Sequence, residues 1–155
     1  MELNISEYME SYLAQLKATV MWFHAAHHSA KGKGFVSDHK NLYGSIYTSL
    51  DDHFDLLVEK SIALSGSESI ACPLTLSSSI SHILNSTCVS PANQDSERIV
   101  YDAIIMISRL INSVSEVYEK FKSSGYLTLG LEDALTSMAN EYEKYLYLLG
   151  QRYKK

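Results

Sequence analysis

A chain of 155 residues, 46% apolar and 20% charged, can bury its own core without disulfides or a structural metal. Its formal charge of −5 argues against a protein whose main business is neutralising nucleic-acid phosphates. Cys72 and Cys88 form no CxxC pair and read as free thiols of a reducing compartment; MELNISEYMES lacks the basic and apolar parts of a leader, and no apolar run reaches eighteen residues, so a cytoplasmic protein without a membrane span is expected.

Two prolines and seven glycines leave room for long helices. Ile5, Tyr8, Met9, Tyr12, Leu13, Leu16, Val20 and Phe23 recur at steps of three and four, which predicts a helix over 4–29 with one apolar face. The KGKG run, Lys31 to Gly34, breaks it. A second helix is expected over 35–64, about 43 Å long at 1.5 Å per residue. Leu42, Ile46, Leu50, Leu57 and Ile62 take its apolar positions, with Tyr43 and Tyr47 beside them. SGSES ends it. Residues 65–94 are rich in Ser and Thr and hold both prolines and both cysteines. They read as a crossover connection containing a short helix over 74–84. A third helix follows over 95–123, with Asp95 or Ser96 as N-cap and Gly125 as C-cap. Its stripe runs through Ile99, Ala103, Ile107, Leu110, Val114, Val117 and Phe121. The fourth, over 128–153, buries Leu131, Leu135, Met138, Tyr142, Tyr145 and Leu149. Strand-like alternation and internal repeats are both lacking. Two long helices, a long crossover and two long helices make an all-α, ferritin-like four-helix bundle in a single domain over 1–155.

The chemistry is concentrated in one stretch. Five of the six histidines lie between His24 and His53, and four of the eighteen acidic residues lie between Asp51 and Glu59. His24 is spaced to neighbour both His27 and His28 on a helix, and Asp52, Asp55 and Glu59 are also spaced by three and four. His39 falls on the first turn of the second helix. Each cluster alone also describes an ordinary solvated helix face. Imidazoles and carboxylates bind iron or zinc only where they converge. From His39 to Asp55 the helix rises by about 24 Å. One chain therefore cannot close both clusters on one ion, whereas a two-fold dimer can lay one helix end against its partner's start.

His27, Phe35, His39, Asp55 and Glu59, carried in "GKGFVSDHKNLYGSIYTSLDDHFDLLVEK" and the residues before it, resemble the signature of the Dps family, the mini-ferritins of starved cells. "LEDALTSMANEYEKYLYLLGQR" resembles that family's last helix. The resemblance implies a homo-oligomeric shell, a dodecamer built from two-fold dimers. Its ferroxidase sites would take His27 and His39 from one subunit and Asp55 and Glu59 from the other. Non-haem iron would be bound there, with zinc or another divalent metal able to substitute. Fe(II) would be oxidised, typically by hydrogen peroxide, and stored as part of an oxidative-stress response. His24, His28 and Asp52 would be added or supporting ligands. Tyr43 and Tyr47 would carry electrons or simply pack the bundle. Tyr43 stands four residues after His39, where the family commonly has an acidic residue, and His28 stands where the family has Trp. The interval from His39 to Asp55 is one residue longer than the family's. An added residue turns a helix by about 100°, so the two ligand halves stay in register only if a π-bulge absorbs it.

Twelve such chains would carry a formal charge of about −60, and only RYKK at the C-terminal end is basic, so DNA binding is expected to be weak or absent. The alternative is the same shell with a degenerate metal centre, acting as a structural or DNA-associated protein. A zinc- or nickel-dependent bundle hydrolase would need histidines on the last helix, and none follows His82.

Overall fold

Apolar residues at helical spacing, punctuated by glycine and capping residues, set the helices of a computed structural model that describes residues 5–154. The expected helix start at Asn4, the first residues of MELNISEYMES and the last lysine of RYKK lie outside the described residues. Helix α1 (Ile5–Ser29) ends before Gly32, whose φ of 79° makes the turn. Residues 35–65 then wind without a break. Within them Ser37–Gly44 is a π-helical segment, followed by α2 (Ser45–Ser65). Gly66, at φ 70°, closes α2 in the left-handed region that favours glycine.

The crossover contains a short 3₁₀ turn, Ser69–Ala71, and helix α3 (Pro73–Thr87). Pro73 opens α3 because a missing N–H costs nothing in a first turn. Helix α4 (Ser96–Ser124) is capped by Asp95, which accepts a 2.8 Å hydrogen bond from the Arg98 amide, a cap that stabilises by about 1 kcal/mol. Gly125, at φ 78°, ends it. Thr128 caps α5 (Leu129–Tyr153) by accepting from the Leu131 amide at 3.1 Å. No strand occurs among the described residues.

Helix α1 packs on α2 and α4, and α5 packs on α4 and α2, which closes a four-helix ring. The short links make α1–α2 and α4–α5 antiparallel pairs. Met9, Leu16 and Phe23 meet Leu50 and Leu57, Val100, Ile107 and Leu110, and Leu135, Met138 and Leu149 in one core. Each such side chain contributes about 1.5–3 kcal/mol by leaving water. Helix α3 lies against the outer side of α1, with Ile80 seated on Ala14 and Ala18, residues small enough for close approach. The Trp22 indole donates to the Val89 carbonyl at 2.8 Å and ties the end of the crossover to α1.

One end of the bundle is stitched across chain-distant segments. Ser96 Oγ donates to the Lys31 carbonyl at 2.9 Å, and Lys31 donates to the Gln94 carbonyl. Arg152 at the end of α5 reaches both Asp38 in the π segment and Glu97 at the start of α4. The histidines of α1 and the π segment sit at this end.

Candidate metal centre

His27, near the end of α1, and His39, in the π segment, interlock. The Nδ1 atom of His39 lies 2.7 Å from the His27 carbonyl, and His27 Nδ1 contacts the His39 carbonyl in return. A carbonyl oxygen only accepts, so both Nδ1 atoms carry the hydrogen. In the form that binds a metal, each ring then offers its lone pair on Nε2. A backbone carbonyl that fixes the tautomer in this way is a regular support for a metal-binding histidine. The two rings are stacked, 3.7 Å between centroids and 17° apart, and Phe35 also stacks on His39 at 5.0 Å. Both histidines are half-buried.

The π segment decides which residues surround this pair. A Cβ on Gly44 would stand 2.8 Å from the His39 carbonyl and 3.2 Å from His27 Nδ1. The wide turn thus brings backbone against the imidazole, and only glycine leaves the room. Tyr43, four residues after His39, turns inward instead. It is 1% exposed, lies 6.2 Å from the Phe23 ring, and its hydroxyl has no hydrogen-bond partner. Burial pushes the Tyr43 phenol well above its usual range, and the nearby Asp38 carboxylate adds to the rise. Gly44, five residues on, therefore occupies the place beside His27 that a plain count from His39 gives to Tyr43. Tyr47 comes back to the site, stacked on His24 at 4.4 Å and edge-on to His27 at 5.4 Å. His28 lies 5.4 Å from His27.

A salt bridge holds the segment in place. Arg152 grips Asp38 with two parallel hydrogen bonds of 2.9 and 3.0 Å. The Asp38 side chain is 3% exposed. Hydrogen bonding to Asp38 raises the Arg152 guanidinium further above its usual value. Asp38 directly precedes His39, so the clamp sets the direction in which the π segment leaves the loop. Sequence reasoning missed this pair, because 114 residues separate its members and neither belongs to a local motif.

The carboxylates stand elsewhere. Asp52, Asp55 and Glu59 are exposed on the open side of α2, and no hydrogen bond or ion pair engages Asp55 or Glu59 among the described residues. Asp51 differs, because it turns toward α1 and pairs with Lys17. From Ser45 to Asp55 the axis rises by about 15 Å, far beyond the reach of metal bonds about 2 Å long. Among the described residues of the single chain, no three His, Cys, Asp or Glu side chains form a group able to hold a metal ion. The structure thus brings together His24, His27, His28, His39 and Tyr47, and leaves Asp55 and Glu59 further along the same helix with Leu56 exposed between them.

A second polar cluster crosses the interior. Tyr12 and Tyr142 share a 2.9 Å hydrogen bond. Tyr142 Oη lies 3.3 Å from His53 Nδ1, and His53 Nε2 lies 2.8 Å from Glu141. Ser49, at 2.8 Å, and Tyr145 also donate to Glu141. The carboxylate accepts from Nε2–H, so neutral His53 accepts the Tyr142 hydroxyl at Nδ1. Burial lowers the His53 pKa and outweighs the opposing pull of Glu141. For Glu141, burial raises the pKa, but donors from Tyr145, Ser49 and His53 together hold it below the ordinary value. His53 sits one residue before buried Phe54 and three after buried Leu50. That spacing is the one sequence signal that His53 faces the bundle while its acidic neighbours do not.

No family model matches the chain, and no curated protein matches its sequence. Solved structures match its fold. Dps of Vibrio cholerae, described as a member of a broad superfamily of ferritin-like diiron-carboxylate proteins, superposes with a TM-score of 0.74 at 21% identity, over 97% of this chain and 89% of that one. Mycobacterium smegmatis Dps gives 0.80 at 16% identity, over 97% and 86%. A histidine-to-glycine mutant of Listeria innocua Dps gives 0.77 at 15%, over 97% and 96%. At these identities the likeness is one of fold.

Proposed function

The chain has the ferritin-like helical bundle of the Dps structures, and from that premise we propose that it is a ferroxidase and iron store whose sites form between two-fold related subunits. His27 and His39 supply one half of each site, and Asp55 and Glu59 of the other subunit supply the second half. The observation that carries this reading is the reciprocal pair of Nδ1 contacts to backbone carbonyls, which fixes both imidazoles with Nε2 unspent. Unpaired, exposed carboxylates on α2 complement it, since an isolated acidic face with exposed Leu56 within it is suited to meet a second copy. Imidazole and carboxylate together suit Fe(II) and leave coordination positions open to an oxidant.

Iron is the substrate here. Two Fe(II) ions each release one electron, and hydrogen peroxide accepts both as its O–O bond breaks, so two Fe(III) and two hydroxides result. The chain's own part is to hold the imidazoles in one tautomer, to gather Fe(II) at the carboxylates, and to bring the halves together through the dimer. Twelve subunits closed into a shell would give the ferric product a cavity, in a cytoplasmic setting of oxidative stress. Zinc would bind the same donors without electron transfer. The acidic shell disfavours DNA.

Fe(II)-dependent consumption of peroxide tests the proposal. His39→Ala and Glu59→Ala should each abolish fast Fe(II) oxidation. Wild-type rates in both variants would sink the site assignment. Gly44 supports a second reading, a shell with a degenerate centre, because it offers no carboxylate beside His27. Anaerobic Fe(II) titration separates the two, since a degenerate centre gives no saturable binding at the two-fold sites, and His39→Ala with Glu59→Ala then leaves the titration unchanged.

A further inference from the structure

Helix α1 carries two histidines that the shared centre does not use. His24 and His28 stand four residues apart, so their Cβ atoms are about 5–6 Å apart on one helix face. Both are exposed, and their rings lie 4.5 Å apart between centroids. Whereas His27 and His39 each commit one nitrogen to a carbonyl, no ring nitrogen of His24 or His28 has a hydrogen-bond partner among the described residues. Tyr47 stacks on the His24 ring at 4.4 Å and 29°. That contact restrains the His24 ring before any ligand arrives and so lowers the ordering cost of binding.

We propose that His24 and His28 form a second cation site on each chain, for a borderline divalent ion such as Co(II) or Zn(II). One nitrogen from each ring binds the ion, and water fills the remaining positions. Imidazole is the donor these ions favour. Bonds of about 2.0–2.1 Å place two bound nitrogens roughly 3 Å apart, a bite that two imidazoles one helical turn apart can span. No third His, Cys, Asp or Glu joins the pair among the described residues, so the ion stays solvated and exchangeable. His27 is 6.3 Å from His24 and 5.4 Å from His28 between ring centroids. A cation on the pair therefore sits beside the shared centre without taking its ligands. Because the site uses one chain only, it needs no partner subunit and stands independently of the ferroxidase reading.

The experiment is an anaerobic Co(II) titration of the full chain at pH 7.5, followed by calorimetry and by the visible absorption of bound Co(II). Asp55→Asn with Glu59→Gln serves as background, since these exposed substitutions remove the carboxylate half of the shared centre. Adding His24→Gln and His28→Gln to that background should remove one Co(II) per chain. Each single histidine variant should weaken the same ion about tenfold or more, as one of its two protein ligands is lost. Zn(II) should displace the bound Co(II). Unchanged stoichiometry and affinity in the quadruple variant would overturn the proposal. Failure of the ferroxidase reading shows differently: Asp55→Asn with Glu59→Gln would then bind as much Co(II) as the wild type.

Discussion

Tyr43 and Gly44 are adjacent, yet the π segment gives them opposite fates. The Tyr43 hydroxyl is buried without a partner, and an unpaired buried hydroxyl costs about 1–3 kcal/mol. Tyr43→Phe should therefore leave the urea midpoint unchanged or raise it, and it should leave Fe(II) oxidation intact. A large loss of oxidation rate would instead make Tyr43 an electron carrier. Gly44 has no such freedom, because a Cβ there meets the His39 carbonyl at 2.8 Å. Gly44→Ala should cost about 1–3 kcal/mol as an overpacked contact and slow Fe(II) oxidation by displacing His27 and His39. Retention of both stability and rate would show that the close approach is dispensable. The sequence made Tyr43 and Tyr47 equivalent, four residues apart on one face. Only the π turn separates them, by sending Tyr43 into the core and Tyr47 toward the histidines.

At the scale of elements, the π segment Ser37–Gly44 contains His39 and widens the turn that follows it on the way to Asp55. A count against the family pattern calls for such a bulge, and the structure has one. Its anchor was not legible, because the Asp38–Arg152 pair joins the second helical stretch to the end of the last helix. Arg152→Ala would leave the Asp38 carboxylate buried and unpaired. We expect a loss of about 2–3 kcal/mol, below the 3–5 kcal/mol typical of a fully buried pair, because Arg152 is 28% exposed. Arg152→Lys should recover only part of it, since a single ammonium cannot reproduce the two parallel bonds. Equal stability of Arg152→Ala and the wild type, measured by denaturant unfolding, would remove the clamp from the account. The helices themselves were legible because their apolar stripes repeat at helical spacing. Helix α3 runs from Pro73 to Thr87, beyond the 74–84 read from hydrophobicity, because Asn85, Ser86 and Thr87 extend it with polar residues that leave no apolar signal.

For the whole molecule, the all-α ferritin-like bundle followed from the order of long and short connections, whereas the interior cluster of His53, Glu141, Tyr142 and Tyr12 did not. Its members come from three helices and share no sequence spacing. That cluster makes stability pH-dependent. Glu141 has a lowered pKa in the folded chain, so its contribution is full above the ordinary carboxylate value and is lost as pH falls through the folded one. Neutral His53 acts in the same direction at higher pH, because the unfolded chain binds a proton near pH 6.5 that the folded chain resists. The urea midpoint of the metal-free protein should thus fall steadily from pH 7 toward pH 4. Glu141→Gln should flatten the acid part of that fall, and an unchanged slope would exclude Glu141 as its source.

The central claim is that one chain holds only half of each iron site. It is tested most directly by co-assembling two inactive variants, His39→Ala and Glu59→Ala, from unfolded chains in equal amounts. A shared site is intact only when its histidines come from the Glu59→Ala chain and its carboxylates from the His39→Ala chain. Random pairing about a two-fold axis then restores about a quarter of the wild-type Fe(II) oxidation rate. Recovery to that level is the expected result. Mixed assemblies as inactive as either parent would contradict a site built across two subunits.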